Sequence, residues 1–471
     1  MFLKMKKIVL TCLFLVVDFL SFSQSDSTAV LSYETFMEIV QANHPLARQA
    51  DLQVIKSNSS LLQSKGAFDP KLFTEVGQKY FDDKEYYNLV DGGVKLPTKI
   101  GVEVKGGYSN NSGYYLNPEN STPDEGLWYA GVSVPIGRGL IIDKRRAQLK
   151  QAELYVTISE QERKLMYNEL LYEAGKAYWD WFKAYSVQRI YEEAVTIADT
   201  RLKAVKNSAQ LGDKPAVDTL EAGIQVQNRI LNFQQAQLDL KNATILLSIY
   251  LWSDEGIPLE MVDGVIPEIS VAAGPIPIDD YYVSMLDSLN FTHPELAKMS
   301  YKIAQLEVNK KLKKEMIKPQ LNLNYNALLQ PQGSETFASY SVNNYKWGLE
   351  FSMPIFIRKE RGALKLAEAK IQEANYQNKD KQAKIRAKVS QALNEWQTTL
   401  DQYNLYEQTV KDYRDLLQAE RRLFTIGESS LFMINSRESS YIKAQIKLAE
   451  LLAKNRKSEL STTYSMGVLF N

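Results

Sequence analysis

Few residues of this chain have a type and spacing that could carry out chemistry. It contains 2 histidines, His44 and His293, and each stands directly before a proline. This placement predicts a structural role at a helix start, and the two histidines do not have the spacing of a metal-ligand pair. No glycine-rich phosphate loop occurs, and the carboxylates are scattered along predicted helix surfaces. The sequence therefore predicts no catalytic residue, no cofactor and no metal site, and we expect no enzyme.

The N-terminus has the pattern of a secretory signal peptide. Three lysines precede an apolar stretch at residues 8–20, and Ser21-Phe22-Ser23 is a small-x-small cleavage site. We therefore expect residues 1–23 to be removed on export. The single cysteine, Cys12, lies in this segment, so the mature chain is expected to have no disulfide and no thiol chemistry.

Charge and hydropathy exclude two further classes of protein. Basic and acidic residues number 56 each, so the formal net charge is zero and no electrostatic footprint for nucleic acid appears. After the signal, no apolar run approaches the roughly 20 residues that a spanning helix needs. A chain of this kind would cross a membrane only as a closed β-barrel, because lipid offers no partner for unpaired backbone groups.

The sequence contains an internal duplication. Asn43-His44-Pro45 recurs as Thr292-His293-Pro294, and Pro70 recurs as Pro319 at the same offset. Downstream, a shorter offset matches Arg146 with Arg361, Trp181 with Trp396 and Gly212 with Gly427. The first copy therefore carries an insertion between Pro70 and Arg146. The predicted division is a signal peptide at 1–23, a first repeat at 24–252, a linker at 253–285 and a second repeat at 286–471.

Each copy is predicted to begin with a helix and to continue with alternating strands. The first helix spans about residues 32–65 and ends before Pro70. Alternation of period two follows at 100–105 and 128–134, and again at 320–325 and 345–353. Strands of a soluble sandwich would show the same alternation. Aromatic residues at the strand ends and long polar loops at 110–126 and 328–344 favour membrane strands.

Two very long helices are predicted after the strands. No proline lies between Arg138 and Leu211 or between Ile357 and Ile426, and apolar residues recur at steps of three and four. Each helix is expected to run about 60 residues, against a usual length of about 11–12. Each ends at a glycine, and a second helix returns at about 216–252 and 432–461. The resulting hairpins alone are equally typical of a soluble coiled coil.

The combination of strands and hairpins predicts an oligomeric conduit. Each chain is predicted to have about four strands, and an extra hairpin from the insertion around Tyr86–Thr98 is left open. Four strands cannot close a barrel, since known barrels have about eight strands or more. Three chains would supply about twelve strands and twelve helical segments around one axis. The predicted fold class is mainly α with transmembrane β: a duplicated strand-plus-long-helical-hairpin repeat, with a trimeric 12-strand β-barrel continued by a periplasmic α-helical barrel.

These features together resemble a known family, the TolC-like outer-membrane efflux proteins, or outer-membrane factors. The resemblance covers nearly the whole mature chain. It rests on Asn43-His44-Pro45 followed by Pro70, on the strand ends Val134-Pro135-Ile136 and Met353-Pro354-Ile355, and on the turns Leu211-Gly212 and Ile426-Gly427. The resemblance implies an outer-membrane channel subunit of a tripartite efflux or type I secretion system, a passive conduit from periplasm to exterior. It also implies a homotrimer in outer-membrane lipid, with a large periplasmic part that meets a periplasmic adaptor (a membrane fusion protein) and an inner-membrane pump.

The resemblance also implies candidate sites at the helix tips. Adaptor docking is expected at Leu211, Gly212, Asp213, Ile426, Gly427 and Glu428. The tunnel entrance is expected at Asp218, Glu221, Arg437 and Glu438. Family members often have acidic residues just after the second turn, where this chain has Met433 and Ser436. The alternatives are plain turn residues and a solvated helix face. Our hypothesis is that the tips close the tunnel and open on contact with the adaptor.

One alternative function from a different class stays open. A soluble periplasmic coiled-coil scaffold or adaptor protein would share the helical hairpins but would need no membrane-facing strands. Recovery from the soluble periplasmic fraction would favour it.

Overall fold

The computed structural model describes residues 29–262, 264–273, 292–332 and 335–470. The predicted signal peptide, residues 1–23, lies outside the described residues. So do residues 274–285 of the predicted linker and residues 286–291 of the second predicted repeat. The predicted division into repeats and linker stays a prediction.

Long helices and one sheet dominate the described chain. The helices are α1 (Tyr33–Asn43), α2 (Pro45–Lys65), α3 (Lys144–Gln210), α4 (Ala216–Ser248), α5 (Pro294–Glu315), α6 (Arg358–Thr425) and α7 (Leu431–Met466). The strands are β1 (Val30–Leu31), β2 (Lys71–Phe81), β3 (Lys84–Pro97), β4 (Glu103–Ser112), β5 (Leu127–Pro135), β6 (Ile266–Pro267), β7 (Gln320–Gln332) and β8 (Glu335–Ser352). Helices α3 and α6 contain 67 and 68 residues, so the two long helices and their returning partners match the prediction closely. Within the described ranges, no helix is both long and apolar enough to cross a membrane.

The first predicted helix is divided at a His-Pro pair. The prediction of one helix over about residues 32–65 is wrong, because α1 ends at Asn43 and α2 begins at Pro45. Proline disfavours helical geometry in the residue before it, and His44 is extended, with φ −64° and ψ 135°. The His44 side chain accepts a hydrogen bond from the Leu46 backbone N–H. His44 is therefore the N-cap of α2, as its position before proline predicts.

One compact unit comprises the described residues within 1–39, 177–272 and 410–450. Its centre includes Tyr178 and Trp181, whose side chains are almost completely buried. The Tyr178 hydroxyl donates a hydrogen bond of 2.8 Å to the Leu31 backbone oxygen, and Tyr33 stacks on Trp179. β1 and β6 pair in parallel in this unit. These contacts join the start of the described chain to α3.

The other compact unit comprises the described residues within 40–176, 273–409 and 451–471. It contains an antiparallel six-stranded sheet in the order β2-β3-β4-β5-β7-β8. Its helices bury a separate apolar cluster formed by Leu296, Ile385, Val389 and Met466. The sheet and the helices of this unit are therefore stabilised by different contacts.

The sheet has two more strands than the count of four. β4 contains the strand predicted at 100–105, β3 covers most of the insertion around Tyr86–Thr98 in which the sequence left an extra hairpin open, and β2 was not predicted. A strand start at Ile100 is wrong, because Thr98–Gly101 forms a turn in which the Gly101 N–H donates to the Thr98 carbonyl. Gly101 has φ +94°, which favours glycine, and β4 begins two residues later at Glu103.

The predicted loop at 328–344 is also wrong in its described part. β7 continues to Gln332 and β8 begins at Glu335. The register shifts between Ala327 and Leu329 and again between Gln330 and Gln332. Such bulges break the alternation of side chains while the ladder continues, so a period-two pattern does not reveal the strand there.

Candidate functional site: helix tips and a two-faced sheet

The turn after α3 is a glycine-capped helix end. The Gly212 N–H donates to the Ala209 carbonyl at 3.2 Å, and the Asp213 N–H donates to the Ser208 carbonyl at 2.9 Å. This pair of bonds is the Schellman arrangement, which satisfies the last carbonyls of a helix. It requires a left-handed residue, and Gly212 has φ +81°.

The turn after α6 has the same geometry. The Gly427 N–H donates to the Phe424 carbonyl at 3.2 Å, and the Glu428 N–H donates to the Leu423 carbonyl at 2.9 Å. Gly427 has φ +84°. The hairpins α3–α4 and α6–α7 therefore end in the same rigid turn, and both turns lie in the compact unit that contains residues 177–272 and 410–450.

All six predicted docking residues lie on these two turns. Each turn places an exposed aliphatic side chain directly before its glycine, with Leu211 77% and Ile426 67% exposed. No atom lies within 4 Å of a Cβ added to Gly212 or Gly427, apart from the chain neighbours. The turns thus present apolar groups on an open surface, and their role in adaptor docking stays a prediction.

The ends of the two hairpins contact each other within their compact unit. The Lys214 ammonium lies 4.6 Å from the centre of the Phe424 ring. Val205, Ala222 and Leu431 form a buried apolar cluster, against which Phe424 also packs. Both a cation–π contact and apolar burial therefore stabilise the packing of one hairpin on the other.

A polar network lies beside this apolar cluster. The Arg201 guanidinium donates to the Asn435 side-chain oxygen at 3.0 Å and to the Glu438 carboxylate. The Asn435 amide donates in turn to a Glu221 carboxylate oxygen at 3.0 Å. The Glu438 side chain is only 4% exposed and that of Arg201 16%. We call these four residues the hairpin network, since they connect α3 and α4 to α7.

A second ion pair lies within the other hairpin. Glu420 on α6 is 8% exposed, and its carboxylate accepts from Arg437 at 3.5 Å and from the Ser429 hydroxyl. Buried carboxylates need such partners, because an unpaired buried charge is strongly destabilising. This pair fixes the end of α6 against the first turns of α7.

The structure brings together only some of the predicted entrance residues. Glu221 and Glu438 join the hairpin network, and Arg437 contacts Glu420 instead. Asp218 is half-buried in the first turn of α4, where its N–H donates to the Pro215 carbonyl. Their predicted role at an entrance stays a prediction, and Glu438 in particular is buried among residues of its own chain.

Sequence reasoning missed two members of the hairpin network, Arg201 and Asn435. Asn435 interrupts a buried stripe of α7 that includes Leu431, Ile434 and Ile442. A polar residue within an apolar helical stripe could have indicated a buried hydrogen bond from the sequence alone, because buried polar groups need hydrogen-bond partners. The identity of the partner was not visible, since Arg201 is distant in sequence.

The six-stranded sheet of the other unit has one polar and one apolar face. Successive side chains alternate between faces, and directly paired residues share a face. In the regularly paired rows, all charged side chains lie on one face. They are Lys71, Glu75, Lys79, Asp91, Lys95, Glu103, Lys105, Lys346 and Glu350. We call this surface the polar face.

The opposite surface of the sheet, the apolar face, carries an exposed aliphatic or aromatic side chain on every strand. One example from each strand is Leu72, Val94, Val104, Val132, Leu323 and Trp347, which are between 36% and 84% exposed. Leu96, Val104, Val132, Tyr325 and Trp347 form one continuous cross-strand row. An exposed apolar area of this extent is typical of a surface that interacts with a membrane or with another protein.

One row of the polar face is rich in lysine. Lys71 pairs with Lys95, Lys95 pairs with Lys105, and the same row continues through Gly131 and Asn326 to Lys346. Like charges placed directly opposite each other destabilise a sheet by roughly 0.2–1 kcal/mol per pair. We call this line the lysine row.

The second histidine is a buried helix cap. The His293 side chain accepts a hydrogen bond from the Glu295 N–H at 3.1 Å and is 5% exposed. Burial lowers the pKa of His293, although the Glu295 carboxylate acts in the opposite direction. Burial would raise the pKa of Glu295, but its bond to Lys381 outweighs burial, so that this pKa is lowered. A neutral imidazole is the form that can accept this bond.

Known proteins resemble the chain in sequence and in fold. Residues 286–467 match the family model described as outer membrane efflux protein. A curated relative, the toluene efflux pump outer membrane protein TtgC of Pseudomonas putida, is 22% identical over 330 residues. That match covers 68% of this chain and 64% of TtgC, so the chain spans less than two thirds of this relative's length.

Solved structures share the fold. The Campylobacter jejuni CmeC outer membrane channel matches with a TM-score of 0.62 and 15% identity, over 93% of this chain and 86% of CmeC. The Neisseria gonorrhoeae MtrE outer membrane channel, solved in an open state, matches with a TM-score of 0.64 and 12% identity, over 92% of this chain and 88% of MtrE. The mainly helical fold is therefore that of the outer-membrane channels. Together with the family-model match over residues 286–467, it confirms the resemblance to TolC-like outer-membrane efflux proteins that the sequence indicated.

Proposed function

We propose that this protein is the outer-membrane channel subunit of a tripartite efflux or type I secretion system. It acts as a passive conduit from the periplasm to the exterior. The observation that carries the proposal is the two-faced sheet, in whose regularly paired rows the charged side chains lie on one face while the other face is apolar and exposed. Lipid suits the apolar face and water suits the polar face. The names of the relatives, such as TtgC, agree with export across the outer membrane.

The free edges of the sheet support a homotrimer. β2 and β8 are the two edge strands, and neighbouring strands are antiparallel throughout. β8 of one copy therefore runs in the direction needed to pair with β2 of the next. Lipid leaves no partner for an unpaired edge, so the sheet must close through further copies. The proposed assembly is a trimeric β-barrel, continued by a periplasmic barrel of the helical hairpins.

The helix tips are proposed to meet the periplasmic adaptor, which couples the channel to an inner-membrane pump. The proposed docking residues are Leu211, Gly212, Asp213, Ile426, Gly427 and Glu428. The exposed side chains of Leu211 and Ile426 offer apolar contacts on two rigid turns. Asp218, Glu221, Arg437 and Glu438 are proposed to act at the tunnel entrance, Glu438 through the hairpin network rather than as a lining group.

The hairpin network supports a closed resting state at this entrance. It connects α7 to α3 and α4 through bonds that must break if the hairpins separate. An adaptor that binds the separated arrangement more tightly would shift the equilibrium toward opening.

The first test is the native mass of the mature chain extracted from outer membranes in mild detergent. A mass of three chains after correction for detergent would support the shared barrel. A monomer, or recovery without detergent, would contradict it. Recovery from the soluble periplasmic fraction would instead favour a coiled-coil scaffold or adaptor.

A further inference from the structure

The inserted hairpin, β3 and β4, lies inside the sheet rather than at its margin. In the duplication, β2 follows Pro70 as β7 follows Pro319, and β5 ends at Pro135 as β8 ends just before Pro354, so β2 and β5 are the counterparts of β7 and β8. β3 and β4 stand between β2 and β5, each paired on both sides over most of its length. An insertion that extended into solvent beyond the sheet would not separate β2 from β5 in this way.

The hairpin also continues both faces of the sheet. Val94 and Val104 are 44% and 41% exposed on the apolar face, in rows that continue into β5, β7 and β8. Lys95 and Lys105, their neighbours in sequence, lie on the polar face in the lysine row. The same division into two faces therefore runs through inserted and uninserted strands alike.

The dimensions of the hairpin fit a bilayer. β3 has 14 residues and β4 has 10. A tilted strand that crosses the hydrocarbon core needs about 9–11 residues. In the rows that pair β3 with β4, neither strand carries a charge on the apolar face, whereas a lysine or arginine facing lipid costs roughly 2–4 kcal/mol at the midplane.

We propose that β3 and β4 are membrane-crossing strands, with lipid acyl chains covering Val94 and Val104 and the aqueous conduit facing Lys95 and Lys105. The proposal rests on the proposed channel function. Each chain then contributes six strands, and a closed trimeric sheet holds eighteen strands (three chains of six) instead of twelve. The insertion widens the conduit at the membrane and adds two lysines to its wall.

Spin labels on single cysteines test this arrangement. The sequence has 1 cysteine, Cys12, within the predicted signal peptide, so the unsubstituted mature chain serves as the unlabelled control. The test pair is Val94→Cys and Lys95→Cys on β3. The matched pair is Leu323→Cys and Asn324→Cys on β7, which occupy the apolar and polar faces of an uninserted strand. Each labelled full chain is reconstituted in phosphatidylcholine vesicles, and collisions with oxygen and with a water-soluble nickel chelate are measured.

The expected result is a several-fold higher ratio of oxygen to nickel accessibility at 94 than at 95, with the same contrast between 323 and 324. High nickel accessibility at both 94 and 95, with the contrast kept at 323 and 324, would place the hairpin in water and overturn this inference alone. Loss of the contrast at 323 and 324 as well would contradict the proposed function. Low accessibility to both reagents at 94 would indicate protein covering the apolar face, and would also overturn the inference.

Discussion

Arg201 on α3 and Glu438 on α7 form an ion pair whose carboxylate is almost completely buried. Removing one charge leaves the other with incomplete partners, so we expect Glu438→Gln to lower the free energy of unfolding by about 1–3 kcal/mol. Chemical denaturation in detergent, followed by circular dichroism, measures this. If the pair also holds the hairpins together, the variant admits bulky antibiotics passively in cells.

A matched control ion pair lies on α3, the helix that carries Arg201. Lys203 and Asp199 form an ion pair at 2.7 Å, but their side chains are 74% and 45% exposed. Exposed pairs contribute little, so Asp199→Asn should change stability by less than about 0.5 kcal/mol. Equal effects of the two substitutions would show that burial of Glu438 has no energetic consequence.

Glycine-to-alanine substitutions should change the stability in opposite directions in the turns and within a helix. Gly212→Ala and Gly427→Ala should each destabilise the protein by about 1–2 kcal/mol, because an added Cβ is strained at positive φ even where space is open. Gly223→Ala in α4 should instead stabilise it by roughly 0.5–1 kcal/mol, because alanine is the better helix former. Thermal unfolding of the three variants checks both signs.

Bulky substitutions at the same turns test the gating hypothesis. Gly212→Trp and Gly427→Trp, made together, should reduce export in cells while the native mass of the assembly is unchanged. Unchanged export would remove the tips from the mechanism, whatever their contribution to stability.

The lysine row predicts the ion preference of the conduit. With Lys95 and Lys105 on its wall, we expect Lys95→Gln and Lys105→Gln together to lower the ratio of anion to cation permeability. Reversal potentials in a potassium chloride gradient across planar bilayers measure that ratio. Lys95→Arg, which keeps the charge, should leave it unchanged. A ratio unaffected by both glutamines would mean that the row does not face the conduit.

Burial of His293 predicts a pH dependence of stability. Its folded-state pKa lies below the ordinary value of 6.5, so between the two values the unfolded chain binds more protons than the folded chain. The contribution is fully present above pH 6.5 and is lost as pH falls through the folded-state pKa. We expect His293→Asn, which can still cap α5, to remove this component. The change in melting temperature below pH 6.5 should therefore be smaller in the variant, and equal slopes would contradict the assignment.

The sequence was most informative where local rules decide the structure. Gly212 and Gly427 marked the helix ends because positive φ favours glycine, and His44 and His293 marked helix starts because proline follows them. The sequence was least informative where a contact depends on the relative rotation of two helices. Arg201 contacts Asn435 only because α3 and α7 turn those positions toward each other. The periodicity of each helix does not determine how one helix is rotated relative to the other. β4 was visible through the alternation at 100–105, whereas β3 was visible only as part of the insertion, since its adjacent glycines weaken the alternating signal.

The apolar face of the sheet also has a consequence for biogenesis. In the proposed barrel, Leu72, Val94 and Trp347 contact water until a bilayer covers them, so the sheet would gain little hydrophobic free energy while the exported chain is still in aqueous solution. The helices bury their own clusters, such as Val205, Ala222 and Leu431, and do not have this requirement. In that assembly, helical parts would form before insertion, whereas the strands would bury their apolar face only in the membrane. Two additional strands per subunit would make that dependence on the membrane stronger.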